Sequence, residues 1–121
     1  MTTAPAKKTA PRKAPARKAD PLALVLAEVG EAARAVGDLP SSLVGGHLPS
    51  RGADNYRNRA EDWASINEAR EDAGTLGVDG LAVQTAFAAF GGRTIDEIRS
   101  GLVRLASLAV AAVAQIDRAG K

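Results

Sequence analysis

The sequence predicts an all-α fold, a small four-helix bundle-like domain behind a disordered basic N-terminal tail. Three observations lead there. Apolar residues recur at steps of three and four along four separate segments. Those segments are bounded by start and stop residues of helical type. No stretch alternates apolar and polar residues between hairpin turns. At 121 residues the chain is long enough for one domain and an appendage. The expected division is residues 1–19 for the tail and 20–121 for the helical domain.

Residues 1–19 contain three prolines and, apart from Met1, no large apolar side chain. Such a segment cannot bury enough surface to offset its chain entropy, so disorder is expected. Its stretch "KKTAPRKAPARK" places cation pairs at 7–8, 12–13 and 17–18, with alanine and proline between them. Proline biases this spacing toward polyproline II, in which successive pairs lie about 15 Å apart.

The first helix is expected over 21–36. In "DPLALVLAEVGEAARAVG", Asp20 serves as N-cap, Pro21 takes the first helical position and Gly37 stops the helix. Leu22, Leu26, Val29, Ala33 and Val36 form its apolar face. Residues 37–53, with Pro40, Pro49 and four glycines, read as a long loop. A second helix is expected over 54–72, with Tyr56, Ala60 and Trp63 inward and Gly74 closing it. Asp79 is the expected cap of a third helix over 79–90, whose inner face is Val83, Ala86, Phe87 and Phe90 before Gly91-Gly92.

The last helix, 95–119, opens on "TIDE", in which Thr94 and Glu97 form a capping box. Ile98, Leu102, Leu105, Leu108, Ala109, Ala112 and Ile116 give one stripe. Val103, Ala106, Val110 and Val113 give a second. One stripe suffices for a helix lying on a core, so the second predicts a central position or self-association, and a homodimer is expected.

Charge is sharply divided. Residues 1–19 carry six Lys or Arg and no acid, whereas residues 20–121 carry ten bases and fourteen acids. The formal +2 is therefore a +6 tail on a −4 body. With no cysteine, disulfides, thiolate metal sites and thiol nucleophiles are excluded. The N-terminus lacks the apolar run of a secretory signal. The least polar run, Leu105 to Ile116, is twelve residues, short of the roughly 20 a membrane span needs. A soluble protein of the cytoplasm of a bacterial or phage-infected cell is expected.

Residues suited to catalysis are sparse. His47, in "GGHLPS", has no acid close in sequence and reads as a solvated loop histidine. Ser41 and Ser42 lack the strand–turn–helix setting of a nucleophile elbow. "GTLGVDG" has the glycines of a phosphate loop without its Lys-Ser/Thr or its strand, and reads as a turn. Arg51, Arg57 and Arg59 near Tyr56 either extend a polyanion contact or form the first turn of a solvated helix, the reading favoured here. Glu28 and Glu31, one turn apart, could hold Mg²⁺ together with Glu68 and Asp72, since hard oxygen ligands from two helices are what Mg²⁺ at a phosphate requires. All four lie opposite the apolar faces of their helices, where carboxylates are normally solvated.

"GTLGVDGLAVQTAFAAF" and "IRSGLVRLASLAVAAVAQIDR", within residues 74–118, resemble the C-terminal part of MazG-like all-α nucleoside-triphosphate pyrophosphohydrolases. The resemblance implies a helical scaffold in which carboxylates of an EExxE motif and an ExxD-type motif hold Mg²⁺ against the triphosphate. Aligned on those helices, the acidic positions fall at Gln84, Thr85, Ala88, Gly101 and Arg104, none of them a carboxylate. A neutral amide, a hydroxyl, a methyl and a hydrogen cannot offset Mg²⁺ dehydration, and Arg104 opposes the ion. The resemblance thus implies a retained bundle without the reaction, and by analogy a dimer.

The expected function is that of a non-catalytic binding or structural protein without a cofactor. Lys7, Lys8, Arg12, Lys13, Arg17 and Lys18 would contact nucleic acid or another polyanion. Val103, Ala106, Val110 and Val113 would carry self-association. The alternative is a divergent Mg²⁺-dependent pyrophosphohydrolase using Glu28, Glu31, Glu68 and Asp72.

Overall fold

The computed structural model describes residues 20–120; the tail and its six cations lie outside the described residues. Four helices follow in order: α1 (Pro21–Val36), α2 (Pro49–Ala73), α3 (Val78–Phe90) and α4 (Ile95–Ala119), with no strand among the described residues. The all-α expectation therefore holds.

The helix ends follow local chemistry. The Asp20 carboxylate accepts the Leu22 amide at 3.2 Å, and Pro21 occupies a position whose N–H would otherwise be orphaned. Gly37 ends α1 at φ 75°, a left-handed conformation that favours glycine. At the end of α2, Gly74 at φ 74° donates to the Glu71 carbonyl while Thr75 donates to the Arg70 carbonyl at 2.8 Å, a Schellman closure. At α4, Thr94 Oγ1 accepts the Glu97 amide at 3.1 Å and Glu97 Oε1 accepts the Arg93 amide at 2.8 Å. The capping box forms, its return bond reaching one residue further back than the usual pattern.

Two helix starts differ from expectation. α2 begins at Pro49 rather than Asp54. Pro49 pre-sets the backbone angle of the first turn, and the Leu48 carbonyl accepts the Arg51 and Gly52 amides. Gly52, read as a loop residue, lies inside α2 with Val44 packed onto it: a Cβ there would stand 3.3 Å from Val44 Cγ1. α3 begins one residue before Asp79, on a Gly77 cap with no side-chain hydrogen bond. Asp79 instead supplies negative charge to the first turn, where the helix dipole favours it.

The helices pack as an open series. α2 lies on α3, α3 on α4, and α4 on α1; α1 meets neither α2 nor α3, and α2 does not meet α4. Tyr56 of α2 packs on Phe87 and Phe90 of α3, with ring centroids 6.0 and 6.3 Å apart. Val25 of α1 enters α4 between Val110 and Ala114, and all three are buried. At the α3–α4 contact the two backbones approach closely. A Cβ on Gly101 would stand 2.6 Å from both Cα and Cβ of Ala89, which is itself 1% exposed.

By length and composition α4 is long and apolar enough to cross a membrane, since the full helix extends well beyond its uncharged run. In this fold that apolarity meets α3 along one side and α1 along another.

Replacing Gly101 by Ala sets two effects against each other. Alanine gains about 0.5–1 kcal/mol of helix stability over glycine. Overpacking against rigid backbone costs about 1–3 kcal/mol. Gly101→Ala is expected to lower the urea midpoint through a net loss of about 1–2 kcal/mol. A midpoint equal to or above the parent's would mean that the crossing has room for a methyl group.

Candidate functional site in the α3–α4 cleft

Beside the Ala89–Gly101 contact, a cleft of about 470 Å³ opens between α3 and α4, lined by Gln84, Thr85, Ala88, Asp96, Glu97, Ser100, Gly101 and Arg104. The five positions at which the family resemblance places its acids all line this one cleft. Two carboxylates come from elsewhere, Asp96 and Glu97 in the first turn of α4. A second, shallower hollow of about 590 Å³ shares Ala88 and Glu97 and continues past Gly91 to Asp54, Arg57 and Glu61 of α2.

Much of the polar capacity around the first cleft is already used. Thr85 donates its hydroxyl to the Leu81 carbonyl at 2.8 Å, one helical turn back. Gln84 Oε1 accepts from Asn67 Nδ2 at 2.7 Å. Glu97 is held by the Arg93 amide. Asp96 and Ser100 face the cleft beside a single cation, Arg104. A Mg²⁺–triphosphate complex needs several hard oxygen ligands, and two carboxylates opposed by an arginine are a poor set for it. The Gly101 position has no room for a family carboxylate either, because any Cβ there meets Ala89.

The alternative metal set is not assembled. Glu28 and Glu31 are exposed on α1, Glu68 and Asp72 are exposed on α2, and these two helices do not touch. Among the described residues there is no group of three or more His, Cys, Asp or Glu able to hold a metal ion. Glu31 instead pairs with Arg34 of its own helix at 3.1 Å. His47, Ser41 and Ser42 are exposed in the loop between α1 and α2.

The arginine patch of α2 separates into distinct roles. Arg51 and Arg59 are exposed. Arg57 turns inward, donating to the Gly91 carbonyl at the end of α3 and to Asp54 one turn back. It satisfies an orphan carbonyl at the negative end of the α3 dipole, so its role is to hold α2 on α3. Gly91 is buried beneath it, where a Cβ would collide with Arg57 at 2.7 Å. The self-association set divides too. Val103, Ala106 and Val113 are exposed, but Val110 is buried against Val25 of the same chain and is not free for a partner. The second stripe of α4 is thus partly filled by α1.

Asn67 is the polar residue that pattern reading missed. It is 6% exposed, and its Nδ2 donates to the Gly80 carbonyl at 2.9 Å as well as to Gln84. The two acceptors fix which amide atom is nitrogen. Oδ1 has no hydrogen-bond partner and lies against Gly80, where a Cβ would be 2.1 Å away. A signal for it exists in the sequence. Tyr56, Ala60, Trp63 and Asn67 step 4-3-4, so a polar side chain occupies the next place on an inward face.

Arg57→Gln is expected to lower stability by about 1–2 kcal/mol through loss of a charged hydrogen bond at the helix end. Duplex-DNA affinity should not change. Weaker DNA binding by a folded Arg57→Gln protein would return this residue to the contact surface. Comparison of the chain with protein-family models, with curated proteins and with solved structures returns no match.

Proposed function

We infer that this is a non-catalytic binding protein whose cationic N-terminal segment contacts nucleic acid, with the helical body serving as carrier and dimerisation unit. One observation carries the reading: six cations and no acid in residues 1–19, against ten bases and fourteen acids in the remainder. Lys7, Lys8, Arg12, Lys13, Arg17 and Lys18 neutralise phosphates and release counterions, an attraction that requires no defined fold. Several body cations are committed within the fold, which supports leaving the contact to the segment. Arg34 pairs with Glu31, Arg57 with Asp54, and Arg70 lies 3.9 Å from Asp79 and 5.4 Å from the centre of the Trp63 ring. The segment has no aromatic side chain to stack on bases, so binding is expected to follow the backbone without sequence preference.

The location of the cleft favours a second reading, a divergent MazG-like pyrophosphohydrolase. The framework positions of that family cluster at one concavity, and Asp96 and Glu97 stand at its edge. Incubation with nucleoside triphosphates and Mg²⁺ decides it. Pyrophosphate release abolished by Asp96→Asn would establish the enzyme, and no release is expected.

For the binding reading, the full chain with all six segment cations changed to Gln should lose nearly all affinity for duplex DNA at low salt. The parent should show a log–log salt slope of about −5, the value for six phosphate contacts. Unchanged affinity in the six-Gln chain would place the contact elsewhere.

A further inference from the structure

We propose that the α3–α4 cleft binds a small dipolar ligand with an anionic and a cationic end about 10 Å apart, the dimensions of an extended tripeptide. Such binding needs neither the N-terminal cationic segment nor a metal ion, so it is independent of the polyanion reading. The order of charge along the cleft carries it. Asp96, Ser100 and Arg104 follow one another at four-residue steps and share one line along α4. The eight residues from Asp96 to Arg104 set the two ends of that line about 12 Å apart. Long side chains on a helix lean toward its N-terminus, which shortens the gap for Arg104 more than for the short Asp96.

The α3 wall completes the end that receives the anion. α4 folds back on α3 with Gly101 against Ala89, so Gln84 stands toward the Arg104 end and Ala88 nearer the middle. Gln84 Oε1 accepts from Asn67 Nδ2 at 2.7 Å. Asn67 is itself buried, 6% exposed, and anchored on the Gly80 carbonyl at 2.9 Å. The Gln84 oxygen is thereby committed, and its NH2 group is left to donate. A guanidinium and an amide NH2 are suited to a carboxylate. At the other end stand the carboxylates of Asp96 and Glu97, the latter steadied by the Arg93 amide at 2.8 Å. Among the described residues neither Arg104 nor Asp96 forms a salt bridge, so both charges remain available.

Opposed charges in one cleft select the ligand. A lone anion matches Arg104 and Gln84 and leaves the carboxylates unmatched, and a lone cation does the reverse. A ligand bearing both charges matches both ends. Between them Ala88 and Gly101 offer an uncharged floor for its middle. Three residues of extended chain span about 10 Å, whereas two span about 7 Å and fall short of one end. The cleft, about 470 Å³, is of a size that takes such a molecule, since small-ligand sites run from roughly 300 to 1,000 Å³.

Titration of the full chain with trialanine, followed by nuclear magnetic resonance, should give saturable shifts in α3 and α4 with a Kd of about 1 mM or tighter. N-acetyl-trialanine lacks the ammonium, trialanine amide lacks the carboxylate, and dialanine is too short. Each should bind about tenfold more weakly. Variants then assign the ends. Arg104→Gln should bind trialanine and its amide alike while still preferring trialanine to the N-acetyl form, and Asp96→Asn should show the opposite pattern. Gln84→Glu keeps an acceptor for Asn67 but replaces the donor by an anion, so trialanine should bind about tenfold more weakly. A merely structural role for these side chains would weaken all the ligands together. Helicity by circular dichroism is the folding control, and the ligand series on the parent stands without any variant. No saturable binding up to about 10 mM, or equal binding of trialanine and its two blocked forms, would overturn the proposal. Tighter binding of inorganic phosphate or putrescine than of trialanine would do the same, as would an Arg104→Gln chain that still distinguishes acid from amide.

Discussion

Helices α3 and α4 approach so closely at Ala89 and Gly101 that a side chain on Gly101 would overlap the backbone of its neighbour. Much of the rest depends on that crossing. It buries Ala89, and the cleft opens beside it. It also places α4 so that its opposite side receives Val25 of α1. Because the helices pack in series, no alternative contact holds α4 if the crossing opens, apart from the small seam with α1. Glycine brings two helix backbones together at the cost of its own poor helix propensity, and close packing has to offset that cost.

The α2–α3 contact solves a related problem with polar groups. Asn67 binds the Gly80 carbonyl and the Gln84 side chain at once, while Gly80 leaves room for the amide. Arg57 fixes the other end by capping the last turn of α3 at Gly91. Beside the Arg57 clasp lies the aromatic cluster of Tyr56, Phe87 and Phe90. A buried asparagine with both donors used is costly to remove, about 1–3 kcal/mol, and it permits only one register of α2 on α3. Part of the cleft lining is engaged as well, Gln84 by the Asn67 clasp and Thr85 by its own helix.

Charge is divided unequally between the body and the N-terminal segment. Interior arginines are tied to carbonyls, carboxylates or an aromatic ring, and the body carries a net negative charge. On the proposed reading, the polyanion contact therefore falls to the three cation pairs of residues 1–19.

Much of the helical architecture was legible in the sequence, because helix ends are local chemistry. Asp20-Pro21, Gly37, Gly74 and the Thr94–Glu97 box act within a few residues of themselves, and α1 and α4 span what those signals predict. The α2 start was misread because Pro49 and Gly52 are loop residues by type, although Pro49 suits a first helical turn and Gly52 lies under Val44 inside the helix. Which helices touch was not legible, since apolar stripes state that a face is buried and not what buries it. Val110 therefore read as a self-association residue although Val25 of the same chain covers it. The same reason leaves Glu28 and Glu31 apart from Glu68 and Asp72, on helices that never meet. Sequence by itself determined the helices, their caps and the segregation of charge, all of which act over a few residues. Tertiary structure decided the packing order, the closeness of Ala89 to Gly101, the burial of Asn67 and which apolar face stays open, because these depend on contacts between residues far apart along the chain.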